Sequence, residues 1–315
     1  MIKHTFWNSD EHRLRAGWRV LMQLLATGLL VVFFTPLFRL FLGNALSRRL
    51  GPLVGFTLAV WLAGRYLDRR RFAGFGFSLD ARWWADFAFG LVLGTFLMAG
   101  IFVVEYGMGW LTITETIYTA SAGDSFILAL GLSLLSFVAV GFYEELVFRG
   151  YQVQNMAEGF NTGRLDPQWA LVAAWLLSAA LFGLAHALNP NASVVSTLNI
   201  AAAGLLLGLG YVLTRQLALP IGLHIAWNFA QGNIFGFPVS GGTGFAAQVL
   251  VIRQGGPDVW TGGAFGPEAG LLGIAAMLLG AALTVAWVRL RYPRVAFDAT
   301  LAEAPMSAEV ETDGL

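Results

Sequence analysis

The stretch FILALGLSLLSFVAVGFYEELVF, residues 126–148, decides the fold class of this chain. Its first 18 or so residues carry no charge, close to the roughly 20 apolar residues that a helix needs to cross the hydrocarbon of a bilayer. Two adjacent acids, Glu144 and Glu145, then interrupt the run. The stretch predicts a membrane-spanning helix that carries two carboxyl groups.

Composition extends this prediction to the whole chain. Of the 315 residues, 57% are hydrophobic and 12% charged, and the mean hydropathy is +0.66. A soluble domain carries roughly 25% charged residues, so a soluble protein is excluded. We predict an all-α, polytopic membrane bundle of about eight spans, near residues 20–38, 51–67, 84–108, 126–148, 169–188, 194–213, 217–234 and 270–290.

Charge and cysteine content exclude several classes of function. The 19 basic and 19 acidic residues cancel, so no basic surface indicates a nucleic-acid partner. Because cysteine is absent, disulfides, thiolate nucleophiles and Cys-ligated metals are excluded. Any chemistry must come from carboxylates, imidazoles, hydroxyls, or a metal held by oxygen and nitrogen.

The distribution of arginine predicts the topology. Arginines follow the even-numbered spans, whereas residues 109–125 and 189–193 contain neither Lys nor Arg. Basic residues favour the cytoplasmic side. We therefore predict an integral membrane protein with both termini cytoplasmic, and we expect its location to be a bacterial inner membrane. Its expected parts are a cytoplasmic leader (1–19), a membrane domain (20–290), an extracytoplasmic Gly/Pro-rich loop (235–269) and a disordered acidic tail (295–315).

Ionisable side chains inside spans are costly and indicate function. Glu145 and Arg149 are four residues apart and can pair on one helix face, which leaves Glu144 free. The other spans contribute His186, at a Phe-x-x-x-His spacing from Phe182, and His224 with Asn228. If the fourth helix continues through residues 151–156, Glu144 and His186 reach similar depths. We therefore expect these polar edges to converge within 126–234, while Glu105 is interpreted as an interfacial charge.

These three patterns, Glu144-Glu145-x-x-x-Arg149, Phe182-x-x-x-His186 and His224-x-x-x-Asn228, resemble the ordered motifs of the CAAX protease and bacteriocin-processing (CPBP) family, which includes the type II CAAX prenyl endopeptidases. The resemblance covers about 100 residues. It implies an intramembrane endopeptidase with an eight-helix fold. The candidate catalytic residues are then Glu144, Glu145, Arg149, His186, His224 and Asn228.

Peptide hydrolysis needs an activated water, a base and a donor for the oxyanion. Glu144 is the expected base, His186 shares the water, and His224 with Asn228 stabilises the oxyanion. A divalent metal such as zinc, bound by Glu144, His186 and His224, and a glutamate protease without metal both stay open.

The expected partners are membrane lipid and a peptide or protein substrate, with its lipidation left open. No nucleic acid is expected. The alternative functions are a non-catalytic membrane scaffold, a bacteriocin-immunity factor and a proton-coupled transporter that uses the same buried carboxylates.

Overall fold

A computed structural model of the protein describes residues 5–9, 11–121, 123–163 and 165–305. In these ranges eight helices of 12 or more residues run back and forth between the two ends of a bundle, so the all-helical fold is confirmed. Their bounds are α1 (Ala16–Asn44), α2 (Leu46–Asp68), α3 (Ala81–Gly107), α4 (Phe126–Phe160), α5 (Pro167–Ala185), α6 (Val194–Thr214), α7 (Ala218–Phe229, continued by the π-helical turn Ala230–Ile234) and α8 (Leu271–Arg291).

Seven of these helices are long and apolar enough to cross a membrane, counted over the described residues, and α7 is the exception. The sequence predicts a span over 217–234, but the α-helix there has 12 residues and the π-helical turn five. This is short of the roughly 20 residues that a spanning helix needs. Residues 218–227 are all buried, so α7 lies inside the bundle, enclosed by its neighbours.

Glycines hold α7 tightly against α3. An added Cβ at Gly90 would lie 2.4 Å from the main-chain oxygen of Leu219, and one at Gly94 would lie 2.6 Å from that of Leu223. A pair of small residues four apart lets two membrane helices approach backbone to backbone. The position of α7 is therefore fixed by α3, where no side chain separates the two helices.

A two-stranded antiparallel sheet covers one end of the bundle, called here the sheet end. Its strands are β3 (Leu111–Thr119) and β4 (Ala247–Gln254), in segments that the sequence analysis treats as loops. β4 also covers Glu105, near the end of α3. The side chain of Glu105 is fully buried and accepts a hydrogen bond of 2.6 Å from Gln254 Nε2 on β4. The interpretation of Glu105 as an interfacial charge is therefore wrong, because β4 covers it.

Arginines gather at the opposite end, called here the arginine end. Glu158, at the end of α4, accepts hydrogen bonds from Arg13 (2.8 Å), Arg19 (2.9 Å) and Arg70, and Arg19 also binds Asp68 at 2.6 Å. All five side chains are buried. This network joins the segment before α1 to the ends of α2 and α4.

The described residues nearest each terminus pack onto the arginine end. In the predicted leader, β1 (Trp7–Asn8) pairs with β2 (Arg13–Leu14). In the predicted tail, residues 299–302 form a 3₁₀ turn whose Leu301 and Ala302 are buried, so residues 295–305 differ from the expected disorder. Apolar burial holds this short segment in place. Leader residues 1–4 and 10 and tail residues 306–315 lie outside the described residues.

Candidate active site

Helix α4 carries three of the candidate side chains and changes its winding directly after the two glutamates. It is α-helical through Glu145, π-helical over Leu146–Val153 and α-helical again over Gln154–Phe160. Short π-helical segments occur frequently at functional sites. The helix also extends past residues 151–156, as the sequence predicts, which brings Glu144 to the middle of the bundle.

Glu145 is the centre of a buried hydrogen-bond network. Its Oε1 accepts from Arg149 Nη1 at 2.9 Å, so the predicted ion pair within α4 is present. The same oxygen accepts from His224 Nδ1 on α7 at 2.7 Å. The sequence analysis paired Glu145 with Arg149 alone. The second bond shows that Glu145 also orients an imidazole.

Arg149 links this network to α6 and to Phe182 on α5. Its Nη2 donates to the main-chain oxygen of Gly204 on α6 at 3.1 Å, and its guanidinium lies 4.4 Å from the ring centroid of Phe182. A cation over an aromatic face is attracted by the ring quadrupole. The Phe-x-x-x-His spacing on α5 therefore supplies both a platform for Arg149 and, one turn later, the imidazole of His186.

Glu144 faces the other side of His224. Its Oε2 lies 3.8 Å from His224 Nε2, which is too long for a hydrogen bond, and it has no hydrogen-bond partner among the described residues. Because His224 Nδ1 donates to Glu145, its Nε2 is left to face Glu144. Two carboxyl groups on consecutive residues thus flank one imidazole from opposite edges, and only Glu145 is hydrogen bonded.

His186 lies at the C-terminal end of α5. Its Nδ1 is 2.8 Å from the main-chain oxygen of Phe182. A carbonyl oxygen only accepts, so Nδ1 carries the hydrogen, and in the neutral ring Nε2 keeps its lone pair. Its ring centroid is 4.7 Å from that of Phe182, which packs edge-on against His224 at 6.1 Å. Phe182 therefore separates the two imidazoles and sets their spacing.

One cavity of about 180 Å³ joins these groups. Glu144, His186, His224 and Asn228 all line it, whereas Glu145 and Arg149 lie behind its wall. Most other lining side chains are apolar, from Phe137 and Val140 on α4 to Leu207 on α6 and Met277 on α8. The structure thus brings together the four side chains from three helices that the sequence analysis expected to converge.

The sequence analysis missed a second carboxyl group in this cavity, that of Glu268. This residue is 3% exposed and accepts hydrogen bonds from Gln231 Nε2 (2.6 Å) and from the main-chain nitrogen (3.2 Å) and hydroxyl (3.2 Å) of Ser240. Burial raises its pKa to about 7, while these donors act in the opposite direction. Glu268 lies in a Gly/Pro-rich loop and has no helical spacing to another polar residue, so the sequence alone did not indicate that it lines the site.

Glu144, His186 and His224 are the candidate ligands for a metal ion. Within the described residues, no three His, Asp, Glu or Cys side chains approach closely enough to hold an ion. The proposed ligands Glu144, His186 and His224 share a cavity without forming such a set. Within the part of the chain that the structure describes, the arrangement therefore does not fit a three-ligand zinc centre.

Comparison with known proteins gives one match. Residues 126–230, about a third of the chain, match the family described as "Type II CAAX prenyl endopeptidase Rce1-like". No curated protein and no solved structure matches the chain. The match confirms the resemblance to the CPBP family over the segment that contains all six candidate residues. With the seven apolar helices, it supports an integral membrane protein and a CAAX-type intramembrane protease in general.

Proposed function

We propose, taking the family match over residues 126–230 as the premise, that this protein is an intramembrane endopeptidase whose water nucleophile is activated by Glu144 and His186. One observation carries the proposal. Four polar side chains from α4, α5 and α7 line a cavity that is otherwise largely apolar, and the Oε2 of Glu144 has no protein partner among the described residues. Such an oxygen is suited to accept a proton from a bound water.

Each side chain has a role in the proposed reaction. Glu144 takes one proton from the water while His186 Nε2 accepts a hydrogen bond from the other, and the water oxygen attacks the peptide carbonyl carbon. The carbonyl electrons move to oxygen. The Asn228 amide and the Nε2–H of protonated His224 donate to this oxyanion. The C–N bond then breaks, Glu144 returns its proton to the leaving amine, and a carboxylic acid and an amine are released.

Glu145 and Arg149 act through His224 in this scheme. The Glu145 carboxylate binds His224 Nδ1, which aims the opposite ring nitrogen at the cavity. Arg149 holds that carboxylate and is itself anchored to α6. The two residues are therefore proposed as positioning residues, because neither lines the cavity.

The substrate class and the metal requirement are tested together. Purified protein in proteoliposomes is incubated with a peptide library in prenylated and unprenylated forms, with and without a chelator. We expect cleavage to continue in the presence of the chelator. We expect it to be lost in His186→Gln, because this variant lacks the imidazole Nε2 that is proposed to bind the water. Cleavage abolished by the chelator and restored by zinc would assign a metalloprotease. A folded protein that cleaves no peptide would contradict the protease function and favour the scaffold.

A further inference from the structure

The cavity has one closed side and one side built from loops. Toward the arginine end, α4, α5 and α6 fill the space below Arg149 with side chains that are at most 1% exposed: Leu146, Val147, Tyr151, Val153, Ala170, Leu171, Ala174 and Tyr211. Arg149 itself is 1% exposed. Water and a peptide therefore have no route to Glu144 from the arginine end through these residues.

Loop residues form the opposite wall. Val239, Ser240 and Glu268 from the segment between α7 and α8 line the cavity, together with Asn189 from the turn after α5. Asn189 Nδ2 donates to the main-chain oxygen of Ser240 at 3.0 Å, so the two loops meet above the site. Asn189 and Ser240 are both partly exposed. The sheet-end wall of the cavity is therefore made of loops that are partly exposed, and not of packed helices.

Charge distinguishes the two ends of the bundle. Most described arginines lie at the arginine end or in its connections: Arg13, Arg15, Arg19, Arg65, Arg69, Arg70, Arg71, Arg82, Arg215, Arg289, Arg291 and Arg294. The sheet end has Arg39, Arg48, Arg49 and Arg253. Because Lys and Arg near span ends are retained on the cytoplasmic side, this asymmetry orients the arginine end toward the cytoplasm.

We propose that the catalytic cavity opens to the extracytoplasmic side of the membrane, and that the substrate is a peptide segment that emerges on that side. This inference rests on the proposed function, whose site it orients. It follows from two independent observations, the filled cytoplasmic half and the arginine asymmetry. A substrate confined to the cytoplasm would have to cross the packed half of the bundle to reach Glu144.

Single cysteines test the orientation without reference to activity, because the chain contains no cysteine. Thr243→Cys places a thiol on an exposed loop position at the sheet end, and Thr162→Cys places one on an exposed turn at the arginine end. Spheroplasts that express either full chain are treated with a membrane-impermeant maleimide before and after permeabilisation. The proposal expects full labelling of Thr243→Cys in intact spheroplasts and labelling of Thr162→Cys only after permeabilisation. The reverse pattern would overturn it.

A second pair tests the route into the cavity. Val239→Cys lies in the cavity wall, and Ala157→Cys lies in the packed half of α4, where Ala157 is fully buried. A small charged thiosulfonate applied from outside should modify Val239→Cys and leave Ala157→Cys unmodified. Modification of Val239→Cys only from the cytoplasmic side would overturn the proposal. Because both readouts are chemical labelling, they can fail while peptide cleavage persists, which separates this inference from the proposed function.

Discussion

Glu145 joins two helices through one carboxyl oxygen, which receives hydrogen bonds from Arg149 on its own helix and from His224 on α7. The carboxylate is fully buried, so its charge is balanced only by these two neighbours and not by water. Folding and orientation of the proposed catalytic imidazole therefore depend on the same contact.

Removal of Arg149 should unfold the protein as well as inactivate it. Arg149→Ala removes one of the two groups that balance the buried Glu145 carboxylate, and breaking such a pair costs about 3–5 kcal/mol. We expect a strongly reduced yield and unfolding temperature, measured in detergent beside Arg289→Ala, whose side chain is exposed on α8. A well-folded but inactive Arg149→Ala protein would instead show that Arg149 positions His224 without being needed for folding.

Glu268 should make stability depend on pH. Burial raises its pKa from about 4.5 to about 7, so the folded protein binds this proton more tightly than the unfolded chain. The contribution of this group to stability is therefore highest in acid, falls as the pH rises from about 4.5 to about 7, and then levels off.

The variant Glu268→Gln lacks this titration. Thermal unfolding of both proteins between pH 5 and 8 should show the unfolding temperature of the wild type falling relative to that of the variant. Parallel curves for the two proteins would show that the buried carboxyl group does not titrate in this range.

At the residue level, contacts between residues close in sequence could be predicted, whereas contacts between residues far apart in sequence could not. The pairing of Glu145 with Arg149 follows from a spacing of four on one helix. The bond from His224 to Glu145 joins residues 79 positions apart, and no sequence period encodes it. The motif residues could be predicted because an ionisable residue inside an apolar helix is costly and therefore indicates function. Glu268 lies in a Gly/Pro-rich loop, where an acidic residue is not unusual.

At the element level, the contact between α3 and α7 determines the position of two of the four candidate residues that line the cavity. α7 carries both His224 and Asn228, and its backbone lies directly on Gly90 and Gly94 of α3. Because α7 is short and enclosed, its position depends on these neighbours and not on the bilayer.

Gly94→Ala should displace α7. The new methyl would lie 2.6 Å from the main-chain oxygen of Leu223 and 2.8 Å from the main-chain nitrogen of Trp227, so the helices must separate. Overpacking of this kind costs about 1–3 kcal/mol. Gly100→Ala on the same helix is the matched control, because nothing lies within 4 Å of its added methyl. Equal stability and activity in both variants would show that the α3–α7 contact does not position the site.

Two elements differ from the sequence-based expectation for physical reasons. The apolar run at 217–234 has the composition of a span, but composition does not distinguish lipid from a protein interior, and here the neighbours are helices. The strand β3, LTITETIYT, is rich in the β-branched residues that favour a strand. Its partner β4 is 128 or more residues further along the chain, so pairing was not evident from either segment alone.

At the scale of the whole molecule, the bundle divides into a packed half and a half that contains the cavity. Below Arg149 the bundle is filled by buried apolar side chains, while the sheet-end wall of the cavity is formed by two loops. This division is the basis for the proposed entry of a peptide from the sheet end.

The rate of peptide cleavage by Glu144→Gln tests most directly whether Glu144 is the base that activates water. The variant is compared in proteoliposomes with the wild type and with Glu115→Gln, an exposed acid on β3. We expect Glu144→Gln to keep the wild-type unfolding temperature and to lose cleavage by about 10²–10⁴-fold, the usual contribution of general acid–base catalysis. Glu115→Gln should cleave at the wild-type rate. A folded Glu144→Gln protein that cleaves as fast as the wild type would contradict the proposed mechanism.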